Sequence, residues 1–151
     1  MRIHFIKSSE KKKILSQLNT QFGIISLPYL LIESGKEKIR AYSGHLSKEE
    51  ILQLAQLTNI EIIGLYLMRK ESENDIRLTI DATHLLKEQI TKNTVSISDQ
   101  QLQEYLRGQN INIQAPQGNI IIKHNEDFIG GAKSNGEKVF NYVSKERRLR
   151  K

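Results

Sequence analysis

Residues 119–143, with the sequence NIIIKHNEDFIGGAKSNGEKVFNYV, contain three short apolar segments separated by polar turns. The segments Asn119–Lys123, Phe128–Lys133 and Lys138–Val143 are rich in β-branched and aromatic residues, which favour strands. The last turn carries Asn135-Gly136, and an Asn-Gly pair between two strands is a strong hairpin signal. This stretch therefore predicts antiparallel strands near the end of the chain.

A strand and a short helix precede these strands. Asn93–Ser98 is predicted to be a strand, and Ser98-Asp99-Gln100-Gln101 has the pattern of a capping box that starts a helix. Leu102, Tyr105 and Leu106 lie at the helical spacing of one apolar face. Gly108 is placed to end the helix in the left-handed conformation.

The first half alternates strands and helices. We predict helices that begin at Ser8 or Ser9, at Ser47 in the capping box Ser47-Lys48-Glu49-Glu50, and at Asp81 as an N-cap. The strands predicted here are Arg2–Ile6, Ile24–Ile32, Lys38–Tyr42, Ile60–Met68 and Asp75–Ile80. In the second helix, the residues expected to face the core are Ile51, Leu54, Ala55 and Leu57.

The character of the sequence changes within Lys87–Asn93, where helix-rich α/β sequence gives way to short strands. We therefore predict an α+β protein of two domains, an N-terminal α/β domain over residues 1–88 and a β-rich domain over residues 89–151. The junction contains no linker rich in Gly, Pro or Ser, so the interface between the domains is expected to be fixed.

The chain is basic. Its 151 residues carry a formal net charge of +6 with a pI of about 9.5, which favours a polyanionic partner. The densest positive charge lies in the last seven residues, Lys145–Lys151. A disordered solubilising tail is the alternative explanation of such a terminal run.

Several classes of chemistry lack the residues they need. The chain has no Cys, which excludes disulfide scaffolds, thiol nucleophiles and Cys-ligated zinc. The segment Gly130–Gly136 fails the P-loop pattern because Glu137 and a strand follow it. His84 follows Asp81 by three residues, but two ligands are too few for a zinc site. We therefore expect a protein that is not an enzyme and uses no metal or cofactor.

The longest uncharged apolar run, Phe22–Ile32, has 11 residues and is shorter than the 18–20 residues of a typical membrane-spanning helix. The expectation is a cytoplasmic protein that does not engage a membrane.

The second half resembles a PUA domain, an RNA-binding module of pseudouridine synthases and archaeosine transglycosylases. The resemblance rests on Asn93–Ser98, on Tyr105–Ile111 with its Leu-x-Gly turn, on Gly118–Ile122 and on Phe128–Ser134. It covers about residues 87–143 and implies a pseudo-β-barrel of mostly antiparallel strands.

The whole chain resembles a larger arrangement, in which an α/β pre-PUA domain is followed directly by a PUA domain. Small ribosome-biogenesis factors and stand-alone archaeal-type PUA proteins are built in this way. The ending Phe140–Leu149 is similar to archaeal-type PUA ends and to PUA-like segments linked to RNA cytosine methyltransferases. No S-adenosylmethionine motif and no catalytic Cys are present, so the resemblance does not imply methyltransferase activity for this chain.

The resemblance implies a monomeric, non-catalytic RNA-binding protein in ribosome biogenesis, including rRNA processing, or in RNA modification, including that of tRNA. Its partners would be rRNA or tRNA, with ribosome-assembly or RNA-modification proteins as further candidates. Two alternatives stay open: a protein-interaction adaptor, and an accessory subunit of an RNA-modifying enzyme. The residues expected to contact RNA are Arg107, Gly108, Lys123, Gly130, Gly131, Lys133, Lys145, Arg147, Arg148, Arg150 and Lys151.

Tyr105 and Tyr142 are candidates to stack on a base, although a core position is the more favoured interpretation of their spacing.

Overall fold

The computed structural model describes residues 2–150, which form two five-stranded sheets. The first sheet is antiparallel throughout and has the order β1-β2-β3-β4-β5. Its strands are β1 His4–Phe5, β2 Leu30–Ser34, β3 Lys38–Tyr42, β4 Leu65–Ser72 and β5 Asp75–Leu78. Three helices belong to this half: α1 Ser8–Phe22, α2 Lys48–Leu57 and α3 Ile80–Leu85.

The second sheet has the order β6-β8-β9-β10-β7 and curls into a half-barrel. The short strand β6 pairs with β8 in parallel, and the other neighbours are antiparallel. The elements are β6 Thr94–Ser96, α4 Asp99–Leu106, β7 Ile111–Asn112, β8 Gly118–His124, β9 Asp127–Ser134 and β10 Lys138–Phe140. The four strands predicted in this half are confirmed, although β10 ends at Phe140 and not at Val143.

Two predicted strands are wrong over their first residues. The strand predicted at Ile24 starts only at Leu30, because the backbone amides of Ile25 and Ser26 donate to the side-chain carbonyl of Gln89 at 2.9 and 2.8 Å. These two amides are therefore not available for hydrogen bonds to a neighbouring strand. The strand predicted from Ile60 starts at Leu65, after the positive φ of Gly64.

The capping predictions have mixed outcomes. Both capping boxes, at Ser47 and at Ser98, are confirmed in full. Helix α3 is capped by Thr79 and not by Asp81, because the Thr79 hydroxyl accepts the Ala82 amide at 3.1 Å. Helix α1 starts after Lys7, which makes no side-chain cap.

The predicted apolar face of α2 is wrong at two of its four positions. Ile51 is fully buried, but Leu54 is exposed and Leu57 retains 85% of its surface. Ala55 is half-buried, so Ile51 is the one fully buried side chain of the predicted face. The remaining leucines face solvent.

The apolar core joins the two halves. One buried cluster fills the N-terminal half, where α1 contributes Ile14, Leu18 and Phe22, and it also includes Ile121 and Phe128 of the second sheet. A second cluster, centred on Tyr105 of α4, fills the half-barrel. The first cluster contains residues from both sides of residue 88. The domain boundary proposed there stays a prediction.

Two adjacent glycines of β9 let the halves approach closely. A Cβ on Gly131 would lie 2.4 Å from the Leu78 carbonyl oxygen, and one on Gly130 would lie 2.6 Å from Ile80 Cγ1. Gly130 also has a φ of 108°, which side chains rarely adopt. The closest approach at this pair is therefore made by the end of β5 and the start of α3.

We expect Gly130→Ala to destabilise the protein more than Gly118→Ala does. The two glycines have similar φ angles, 108° and 103°, but a Cβ on Gly118 would meet no atom within 4 Å. Backbone strain costs both variants about 1–3 kcal/mol. Gly130→Ala adds an overpacking cost of about 1–3 kcal/mol, which urea unfolding would measure. Equal destabilisation in the two variants would contradict the close packing of β9.

Candidate functional site

The basic C-terminal segment, residues 144–150, packs on the protein. It contains a short 3-10 helix, Lys145–Arg147. The Leu149 amide donates to the Leu106 carbonyl at 2.9 Å, which ties the segment to the end of α4. The disordered-tail alternative does not describe these residues. Lys151, also predicted to contact RNA, lies outside the described residues.

The glycine turn after α4 is partly covered by this segment. Gly108 has a φ of 92°, as predicted for a residue that ends a helix. A Cβ there would lie 2.6 Å from Arg148 Nε, so the guanidinium of Arg148 packs directly over the turn. Arg148 is oriented by donation from Nε to the Val143 carbonyl at 3.0 Å. The neighbouring Arg107 is exposed.

Arg147 connects the segment to the N-terminal half. Its two terminal nitrogens donate to the two carboxylate oxygens of Asp81 at 3.1 and 2.8 Å, a bidentate pair. The hydrogen bond with Asp81 raises the pKa of Arg147 above its usual value. Half of the Arg147 side chain remains exposed, so solvent screens the pair.

The two predicted strand lysines have different surroundings. Lys133 Nζ lies 3.4 Å from the Glu71 carboxylate, across the junction of the two halves. Lys123 Nζ lies 5.7 Å from the centre of the Phe128 ring. Part of the charge of Lys133 is therefore offset within the protein, whereas Lys123 has no carboxylate partner among residues 2–150.

The glycine pair Gly130-Gly131 is not grouped with these cations at an open surface. Leu78 and Ile80 lie against the Cα positions of the pair, and Gly131 also lines a cavity between the two halves. The structure thus brings together Arg107, Gly108, Arg148 and the rest of the C-terminal segment, and leaves the glycine pair between the two sheets.

The pair Asp81 and His84 has other partners. Asp81 binds Arg147, and His84 Nε2 lies 2.7 Å from the Phe128 carbonyl oxygen. Residues 2–150 contain no cluster of three or more His, Cys, Asp or Glu side chains placed to hold a metal ion. Within the same residues, no helix is both long enough and apolar enough to cross a membrane.

A cavity of about 250 Å³ lies between the two halves beside the C-terminal segment. Its lining comes from β4 and β5, from the start of α3, and from β9 and the chain after β10. The lining residues include Tyr66, Arg77, Thr79, Asp81, Tyr105, Gly131, Tyr142, Ser144 and Arg147. The sequence does not predict this cavity, because its walls come from distant segments of both halves of the chain.

Arg77 and Tyr142 form the most distinctive contact in the cavity wall. The guanidinium carbon of Arg77 lies 3.8 Å from the centre of the Tyr142 ring, a cation–π stack. Arg77 Nε also pairs with the Glu71 carboxylate at 3.0 Å, which fixes the guanidinium in place. Tyr142 is 41% exposed, so its ring is accessible from solvent.

Tyr105 is a core residue, as its spacing favours. It is 1% exposed and belongs to the cluster inside the half-barrel. Burial raises the pKa of Tyr105 to about 12, and a backbone hydrogen bond with Tyr142 opposes part of that shift. Of these two tyrosines, Tyr142 alone has a ring accessible enough to stack on a base, so the core position favoured for Tyr142 is wrong.

The family model that describes the PUA domain of the methyltransferase RsmF matches residues 92–149. This part of the chain is similar to that PUA domain. The match begins just before β6 and ends within the basic segment, so it contains every element of the second sheet. A search of the curated proteins gives no match. The match supports the resemblance of the second half to PUA domains, and it agrees with the similarity to PUA segments of RNA methyltransferases.

The stability of the PUA domain should fall in alkaline solution because of Tyr105. A phenol whose pKa rises from 10.0 unfolded to about 12 folded keeps its stabilising effect below pH 10. That effect declines as the pH rises from 10 to 12, by about 2–3 kcal/mol in total. Urea unfolding at several pH values should show a smaller alkaline decrease in Tyr105→Phe than in the parent. Identical pH profiles would mean that Tyr105 is not buried in solution.

Proposed function

We propose that this protein is a non-catalytic RNA-binding protein that acts in ribosome assembly or in RNA modification. The observation that carries the proposal is the PUA match over residues 92–149, which ends within the basic segment. PUA domains are RNA-binding modules, and the net charge of +6 favours a polyanion.

The geometry of the basic segment supports a role in binding. The backbone of Leu149 and the side chains of Arg147 and Arg148 hold the segment on the protein. Cations that are already ordered lose less conformational entropy when they bind phosphates than cations on a free tail. The proposed RNA surface is this segment with the end of α4, where Arg107, Lys145 and Arg150 are exposed.

The N-terminal half is proposed to be a pre-PUA domain of the archaeal type. Support comes from its direct junction with the PUA domain and from the apolar cluster that the two halves share. The proposal of a non-catalytic, cytoplasmic protein rests on the sequence, which has no Cys and no motif for nucleophilic catalysis or phosphate binding in a P-loop.

Removing exposed charge at the proposed surface should weaken RNA binding without unfolding the protein. The variant is Arg107→Gln, Lys145→Gln and Arg150→Gln, because these side chains form no ion pair among residues 2–150. The slope of log affinity against log salt should become shallower by about 0.7–0.9 for each phosphate that the variant no longer neutralises. A single-stranded and a duplex RNA would each be titrated at several salt concentrations.

The control removes the same charge elsewhere. Lys12, Lys13 and Lys36 are exposed lysines of the N-terminal half, and their replacement by Gln lowers the net charge equally. We expect this control to keep most of the affinity. If both triple variants lose affinity equally, net charge and not the PUA surface governs binding. If the parent binds no RNA at low salt, the proposed function is wrong.

A second candidate function is an accessory subunit of an RNA-modifying enzyme. Two observations favour it: the matched family is a methyltransferase's PUA domain, and α2 with its following loop exposes large apolar side chains. Leu52 and Leu54 are more than 40% exposed, and Leu57 and Ile62 are 85% and 72% exposed. Exposed apolar residues concentrated in one segment are typical of protein contacts.

The two candidate functions predict different roles for α2, which contacts a partner enzyme only if the protein is an accessory subunit. If the protein is an accessory subunit, Leu52→Gln with Leu57→Gln should abolish a complex with an RNA methyltransferase catalytic domain in size-exclusion chromatography. The affinity of the same variant for RNA should match that of the parent. Retention of the complex in the variant would exclude α2 as the contact.

A further inference from the structure

We propose that the cavity between the two halves binds one unpaired nucleotide, whose base stacks on Tyr142. This inference rests on the proposed RNA-binding function. It specifies where the protein would recognise one nucleotide of a single-stranded RNA. Its walls are Tyr66, Arg77 and Asp81 from the N-terminal half, and Tyr142, Ser144 and Arg147 from the PUA domain.

The size of the cavity suits a planar ring. Cavities of about 150 Å³ in proteins admit benzene, and this one measures about 250 Å³. It opens to solvent beside Tyr142, which is 41% exposed. A base held in a duplex would not reach these walls, whereas an unpaired base can leave its stack and enter.

The walls offer the contacts that bases use in single-stranded recognition. Bases stack on aromatic rings and on the planes of arginine side chains. The site already contains both, since the Arg77 guanidinium lies 3.8 Å from the Tyr142 ring centre. Glu71 pairs with Arg77 at 3.0 Å and holds it against one face of the Tyr142 ring, so a base would stack on the other face. Tyr66 supplies a second aromatic wall on β4.

Charge at the cavity favours a nucleotide over an uncharged aromatic ligand. Arg147 lines the cavity and remains half exposed while it pairs with Asp81. Its guanidinium can donate to a phosphate oxygen, and the Asp81 carboxylate can accept from an exocyclic amino group of a base. The same segment carries Lys145 and Arg150 toward the proposed RNA surface, so the phosphate chain of a bound RNA would continue along it.

Free nucleotides test the cavity directly. The full chain, labelled with ¹⁵N, would be titrated with AMP, GMP, CMP and UMP, and the amide shifts followed. We expect at least one of the four to move the amides of Gly131, Ser144 and Arg147, and to move none of them in Tyr142→Leu. If none of the four moves these amides in the parent, the inference is wrong.

RNA binding provides the second measurement. Tyr142→Leu should weaken binding of a single-stranded RNA by between about fivefold and a hundredfold, the effect of removing one base stack. Tyr142→Phe keeps the ring and should bind as the parent does. Phe140→Leu removes an aromatic ring that is 38% exposed and does not line the cavity, and it should also leave the affinity unchanged.

The two measurements separate the inference from the proposed function. Unchanged single-strand affinity in Tyr142→Leu, with RNA still bound, overturns the nucleotide site and leaves the RNA-binding function standing. Amide shifts with free nucleotides, but no binding of any RNA by the parent, support the cavity as a nucleotide site and overturn the RNA-binding function. If Tyr142→Leu and Phe140→Leu weaken RNA binding equally, the loss does not come from base stacking in the cavity, and the inference is wrong.

Discussion

The structure depends on the close approach of β9 to the chain segment that joins β5 to α3. Gly130 and Gly131 have no side chain, so the Leu78 backbone and Ile80 can lie directly against the strand. That contact places β5 of the first sheet beside the half-barrel and leaves a cavity where the two surfaces diverge. The cavity, the Asp81–Arg147 pair and the shared apolar cluster all require this relative position of the sheets.

A polar network at the same junction favours one orientation of the two halves, which the apolar contact alone does not. The side-chain amide of Asn119 donates to the Asp75 carboxylate at 2.6 Å, and Glu71 pairs with both Arg77 and Lys133. Hydrogen-bonded charges of this kind are costly to leave unpaired, so they penalise other orientations of the two halves. Arg77 consequently serves the junction and the cavity wall together.

Local sequence patterns predict much of this fold because their physical causes are local. The capping boxes at Ser47 and Ser98 and the left-handed residue Gly108 depend on neighbours within four positions, and the structure contains all three. The apolar side of α2 could not be predicted, because spacing shows which residues share a face but not whether another element covers that face. Gly130 and Gly131 similarly indicate a close approach without identifying what approaches. The cavity depends on contacts between residues more than sixty positions apart, such as Asp81 and Arg147, and periodicity contains no information on those.

The sharing of one apolar cluster between the halves has a consequence for synthesis of the chain. Ile121 and Phe128 complete the cluster whose other members are mostly made before residue 90. As the polypeptide emerges, the N-terminal half must therefore wait for β8 and β9 with part of its interior uncovered. Domains usually fold as units in the order of their translation, and uncovered apolar surface favours aggregation during such a wait. The N-terminal half therefore completes its core only after β8 and β9 have been made.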